Sequence, residues 1–179
     1  MTSPVRVVLV PGVLALLPSY SGIEDPVADL RDACLDAVRW LGADPRVVAG
    51  AQGARVASYL TGVSRLASLA PQPPSGSLAP QPPSGVLVVA NGSAKRTEKA
   101  PGHLDQRALG FDDALRASLV AGHLGDLDQD LARELWADVD SLVRLGREID
   151  LDPASVRVDY DDDPYGVQYW VIRWEGQWR

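Results

Sequence analysis

Residues 5–12, VRVVLVPG, and residues 25–49, DPVADLRDACLDAVRWLGADPRVVA, decide the fold. Val5 to Val10 is rich in β-branched residues and alternates little, which is how a strand buried on both faces reads. It stops at Pro11-Gly12. Asp25 then caps a helix with Pro26 at its first position, where a missing N–H is no loss. Val27, Leu30, Cys34, Val38 and Leu41 recur at steps of three and four, while Asp29, Asp32, Asp36 and Arg39 fall on the opposite side; this is an amphipathic helix. Gly42 closes it, Asp44-Pro45 turns, and Val47 to Ala49 makes a second short strand. Strand, helix, strand is a βαβ unit, and a parallel sheet follows from it.

Outward from that unit, Ala54 to Leu69 carries a helical stripe at Val56, Leu60, Val63 and Leu66 or Ala67. Ser68 to Gly76 reads Ser-Leu-Ala-Pro-Gln-Pro-Pro-Ser-Gly, and Ser77 to Gly85 repeats it unchanged. Prolines remove backbone donors and fix φ, so 68–85 reads as a Pro-rich loop or linker inserted into a single domain spanning 1–179. Pro-Gln-Pro-Pro also resembles the ligands of proline-reading modules, so a protein-interaction module that uses the repeat as bait is one alternative function. Val86 to Ala90 is a third strand of the buried type. Phe111, Leu115 and Leu119 indicate one helix, and Leu131, Leu135, Val139, Leu142 and Leu145 a longer one with a break near Asp140. Val156 to Tyr160 and Val167 to Trp174 flank Asp161–Gly166 as an antiparallel hairpin. Its second strand is apolar on both faces and belongs inside the sheet; Trp170 and Trp174 are expected to pack under helices and Trp178 to serve an interface. The expected class is α/β, with a mixed, largely parallel sheet, helices on both faces and a C-terminal β-hairpin.

The formal charge of -7 over 179 residues repels phosphate backbones and anionic membrane faces, so neither nucleic acid nor membrane is an expected partner. Cys34, the single cysteine, excludes an internal disulfide framework and fits a reducing compartment. Val5 to Leu17 is mostly apolar, yet Pro4, Pro11, Gly12 and Pro18 interrupt it and Arg6 lies inside it. It does not read as a signal peptide, and no run reaches the roughly 20 apolar residues that cross a bilayer. A cytoplasmic location is expected, and a homo-oligomer is compatible with the chain.

Asn91-Gly92-Ser93-Ala94-Lys95-Arg96-Thr97-Glu98-Lys99-Ala100-Pro101-Gly102-His103-Leu104-Asp105 resembles the segment Gly-Asp-Gly-Ser-Ala-Arg-Arg-Thr-Glu-Lys-Ala-Pro-Gly-Tyr-Leu-Asp of the actinobacterial branch of the class III extradiol ring-cleavage dioxygenase family, the LigB-like proteins. The likeness continues through Arg107-Ala108 and Phe111-Asp112. It returns at Tyr160-Asp161-Asp162 and Pro164-Tyr165-Gly166-Val167, similar to that family's Tyr-Asp-Asp-x-Pro-Tyr-Gly-Val hairpin. The resemblance covers the second half of the chain and implies a largely parallel sheet with helices on both faces. It also implies ring-opening chemistry at an Fe(II) held by two histidines and a carboxylate. In active relatives the first histidine lies in the loop after the first strand. This chain has Pro11-Gly12-Val13-Leu14 there and Ala51-Gln52-Gly53 after the second strand, so the resemblance implies a degenerate metal site and no cofactor.

In an open α/β sheet ligands sit beyond the carboxyl ends of strands, which makes the segment after Ala90 the best-placed loop for function. Lys95, Arg96 and Lys99 form a basic cluster after a Gly-Ser turn, suited to a carboxylate or phosphate. Asn91, Ser93, Lys95, Arg96 and Glu98, with Asp161, Asp162 and Tyr165 of the hairpin turn, are the candidate residues for a small anionic or aromatic ligand or a protein partner. Structural pairing of the cations with Asp161, Asp162 or Asp163 is the competing reading. His103, His123 and Glu98 are the weak candidates for iron if ring-opening dioxygenase activity is retained with altered ligands. The expected function is that of an extradiol dioxygenase-like protein that binds rather than catalyses.

Overall fold

The structure is a computed structural model that describes residues 3–20, 25–67 and 83–179, with the backbone alone for 65–67. Its strands are β1 (Pro4–Val10), β2 (Arg46–Val48), β3 (Gly85–Val89), β4 (Ile149–Leu151), β5 (Arg157–Asp162) and β6 (Tyr169–Trp178). They form one mixed sheet in the order β2-β3-β1-β6-β4, with β5 also paired to β6. The β2, β3 and β1 strands run parallel, while β6 is antiparallel to β1, β4 and β5. The α/β class, the mixed sheet and the C-terminal hairpin are as the sequence predicts.

The β1 side chains explain the two-layered core. Val7 and Leu9 face one way, into a cluster with Val86, Val88, Ile172, Trp170 and Trp174. That face is covered by α3 (Arg107–Val120), α4 (Gln129–Glu134) and α5 (Asp140–Glu148). Val8 and Val10 face the other way, with Leu87, Val89 and Val171, under α1 (Ala28–Leu41) and α2 (Ala51–Ala67). A strand that is apolar on successive residues is stable only when both faces are covered, and β1, β3 and β6 meet that condition. The α1 stripe buries Leu30, Cys34, Val38 and Leu41 as its periodicity demands. Trp174 keeps its indole N–H satisfied in the core by donating to the Leu119 carbonyl at 3.0 Å.

Several boundaries differ from the sequence reading for identifiable reasons. The helix after Asp25 begins at Ala28, because Asp25 organises the preceding turn, accepting from the Val27 N–H at 3.3 Å and pairing with Arg31. β3 lies between β1 and β2, so the strands joined by α1 are parallel without being neighbours. The long C-terminal helix is two helices, α4 and α5, and Asp140 opens the second. β4 has no counterpart in the sequence reading; three residues that pair with the end of β6 carry too short a pattern to read. The Pro-rich insert ends earlier than its composition indicates: Ser84 accepts from the Arg6 N–H at 2.9 Å, Pro83 accepts from the Trp178 indole at 3.2 Å, and Gly85 begins β3. Trp178, expected at an interface, is half-buried against that strand end with the Arg46 guanidinium 5.5 Å from its ring. The rest of the repeat, and with it the bait reading, lies outside the described residues. Among the described residues no helix is long and apolar enough to cross a membrane.

Candidate functional site

The segment leaving β3 is pinned on alternate sides. Asn91 exchanges backbone hydrogen bonds with Asp138, while Gly92 donates to Gln168 and Ser93 accepts from Gln168. Ala94 then donates to Leu135, and Arg96 to Gly166. The loop after the central parallel strand is thereby sewn between the α4–α5 connection and the turn of the C-terminal hairpin. Gly92 is required for this closeness, since a Cβ there would stand 2.6 Å from the Gln168 Cβ and 2.7 Å from an Asp112 oxygen.

Side chains complete the seam. Asp112, on the first half of α3 and 1% exposed, accepts from the Ser93 N–H at 2.8 Å, from the Ser93 hydroxyl at 2.6 Å and from Arg96 Nη1 at 3.1 Å. Burial pushes its carboxyl above the ordinary range, and the Ser93 and Arg96 donors pull against that. Arg96 Nε reaches on to Asp163 at 2.6 Å. One guanidinium therefore ties a buried helix carboxylate to the hairpin turn.

This geometry redistributes the predicted site. Asn91 and Ser93 are structural, and Arg96 is committed to two carboxylates. Lys95 points away onto Trp136, with its Nζ 5.5 Å from the ring centroid. Asp161 pairs with Arg116 and accepts from Gln168, and Asp162 accepts from the next N–H. The basic cluster is therefore not a convergent anion cradle, and the pairing reading holds for Arg96 with Asp163. Glu98 and Tyr165, with Lys99 beside them, instead line an open cleft of about 780 Å³. Its other walls are Val13, Pro101, Pro164, Val167 and Tyr169, with Thr97, Asp163 and Gly166 completing it. Val13 follows β1 and Tyr169 begins β6, so the cleft sits beyond the carboxyl end of a central parallel strand, where open α/β sheets receive ligands.

Sequence reasoning missed Asp112, Gln168 and most of the cleft wall. Asp112 lies in the family-like stretch, which is a signal of a kind; Tyr169 sits in an apolar run and gives none. Burial pushes the Tyr169 phenol well above its ordinary range, and Tyr165 and Tyr160 add to that.

The donors near the strand ends do not fit a ferrous centre of two imidazoles and a carboxylate. Gly12, where the family resemblance would put the first histidine loop, donates its N–H to Asn91 Oδ1 at 2.9 Å and accepts from Gln52 Nε2 at 2.8 Å. The nearby carboxylate, Asp138, is raised by burial and then by Asp140. Side-chain amides occupied by the backbone N–H and C=O of one residue, with a single acid beside them, are poor Fe(II) ligands. His103 precedes α3 and His123 follows it, so a 14-residue helix, about 20 Å long, lies between them in the chain. Among the described residues no group of three His, Cys, Asp or Glu side chains is arranged for a metal ion. No family model matches the chain, and no curated protein matches it.

Proposed function

We propose that this chain is an extradiol dioxygenase-like α/β protein that acts by binding a small aromatic molecule in the cleft between 97–101 and 163–167, without iron chemistry. The observation that carries the reading is the composition of that cleft. Tyr165, Tyr169, Pro101, Pro164, Val13 and Val167 present apolar and aromatic surface around about 780 Å³, a volume in the range of small-molecule pockets. Tyr165 is 38% exposed, which leaves its ring face accessible for stacking. Lys99 supplies one cation at the cleft and Glu98 one opposing charge, so the electrostatics favour an aromatic over a strongly anionic ligand. A phosphate-binding reading has little support, since Arg96 is held by Asp112 and Asp163.

Ligand-observed NMR with acetophenone and benzoate tests this. Both probes are expected to bind weakly to the wild-type chain, and Tyr165→Ala is expected to weaken both about tenfold by removing the stacking face. Lys99→Ala is expected to reduce benzoate binding about threefold and leave acetophenone unchanged. Absence of binding by either probe at millimolar concentration, or binding indifferent to Tyr165→Ala, would reject the reading. Stoichiometric Fe(II) in anaerobically purified protein, lost on His103→Ala or His123→Ala, would reject its non-catalytic half.

A further inference from the structure

Tyr169 stands out among the groups around the cleft. The residue is 3% exposed and packed in the sheet core with Val8, Val10 and Val171, yet it also lines the cleft. Among the described residues no hydrogen bond acts on its hydroxyl, whose surroundings are burial and the neighbouring phenols Tyr165 and Tyr160. A buried phenol without an internal partner, on the wall of a ligand-sized cleft, is a donor that a ligand acceptor can satisfy. The phenol stays protonated throughout the physiological range, because burial disfavours phenolate there.

We propose that the Tyr169 hydroxyl is directed into this cleft and is its specificity-determining donor, and that the ligand is a planar aromatic molecule bearing a hydrogen-bond acceptor oxygen, such as a ring carbonyl or carboxyl. This rests on the cleft being the binding site. The walls fit that class: the Tyr165 ring and the Pro101 and Pro164 rings offer flat apolar surface to an aromatic face, and Tyr169 offers a donor from a buried part of the wall. Carboxylates at the cleft do not compete for it, since Asp163 is occupied by Arg96 and no hydrogen bond joins Glu98 to Tyr169. A ligand without an acceptor would leave the hydroxyl dehydrated and unpaired, which is how a polar site rejects an apolar isostere.

The test uses the full chain and two probes that differ only in C=O against C=CH2, acetophenone and α-methylstyrene, with dissociation constants from protein-observed NMR. The wild-type chain is expected to prefer acetophenone about tenfold. In Tyr169→Phe, which keeps the ring and its packing, the preference is expected to collapse to about onefold by loss of acetophenone binding alone. Tyr165→Ala is expected to weaken both probes equally and preserve the ratio. A tenfold preference that survives in Tyr169→Phe, or equal wild-type affinities, overturns the role of Tyr169 while leaving the cleft as a binding site. Shifts that map elsewhere than 97–101 and 163–169 overturn the cleft reading, and the proposal with it.

Discussion

Asp112→Ala is expected to lower the free energy of unfolding by about 3 to 4 kcal/mol, the cost of removing one member of a buried hydrogen-bonded charge network. The reason is what the substitution leaves behind. Ser93 is fully buried, and both its N–H and its hydroxyl donate to Asp112; neither can reach water instead. Arg96, 16% exposed at its side chain, would keep only Asp163. Urea unfolding should give a lower midpoint at an unchanged slope. Ser93→Ala, which removes one of the donors and keeps the backbone bond, is expected to cost only about 1 kcal/mol. The double variant should cost less than the sum, because the Ser93 hydroxyl has nothing left to lose. A loss below about 1 kcal/mol for Asp112→Ala would mean that the seam contributes little. Because Arg96 also holds Asp163, acetophenone binding should weaken in Asp112→Ala even under conditions where the chain remains folded.

Gly166→Ala is the second large effect, about 3 kcal/mol. Gly166 has φ +67°, a left-handed conformation that costs a residue with a Cβ about 1 to 2 kcal/mol. Its added Cβ would also stand 2.4 Å from Thr97 Oγ1 and 2.8 Å from the Ala100 Cβ. The two chain segments that must part are the opposing sides of the cleft base. Thr97→Ala in the same chain removes the nearer obstacle and should recover about 1 kcal/mol, leaving the conformational cost and the Ala100 contact. If Gly166→Ala unfolds at the wild-type urea midpoint, the close approach of the turn to 97–100 is wrong.

Some of this was legible in residue order and some was not. α1 could be read because its apolar positions recur at helical spacing and its burial follows them one for one. The hairpin could be read because Asp161–Gly166 interrupts two strand-like runs. The meeting of the 91–99 segment with the hairpin turn followed from both lying at strand ends, and Arg96 with Asp163 realises it. Asp112 is different. Helical spacing puts it on the buried stripe with Ala108, Leu115 and Leu119, but residue order does not show what would satisfy a carboxylate there. Only the arrival of Ser93 and Arg96 from a different part of the chain supplies its donors.

Residue order by itself determined the longer strands and the α1 helix, and that both sheet faces are covered, because dihedral preference and burial periodicity are local properties written along the chain; β4, and α4 as an element separate from α5, were too short to carry such a pattern. Tertiary structure alone decided that β3 inserts between β1 and β2, that Arg96 serves Asp112 and Asp163, and that Tyr169, packed in the core, also lines a cleft. Those outcomes depend on which groups stand opposite one another across tens of residues, and a buried polar group takes its role from the partner it meets there.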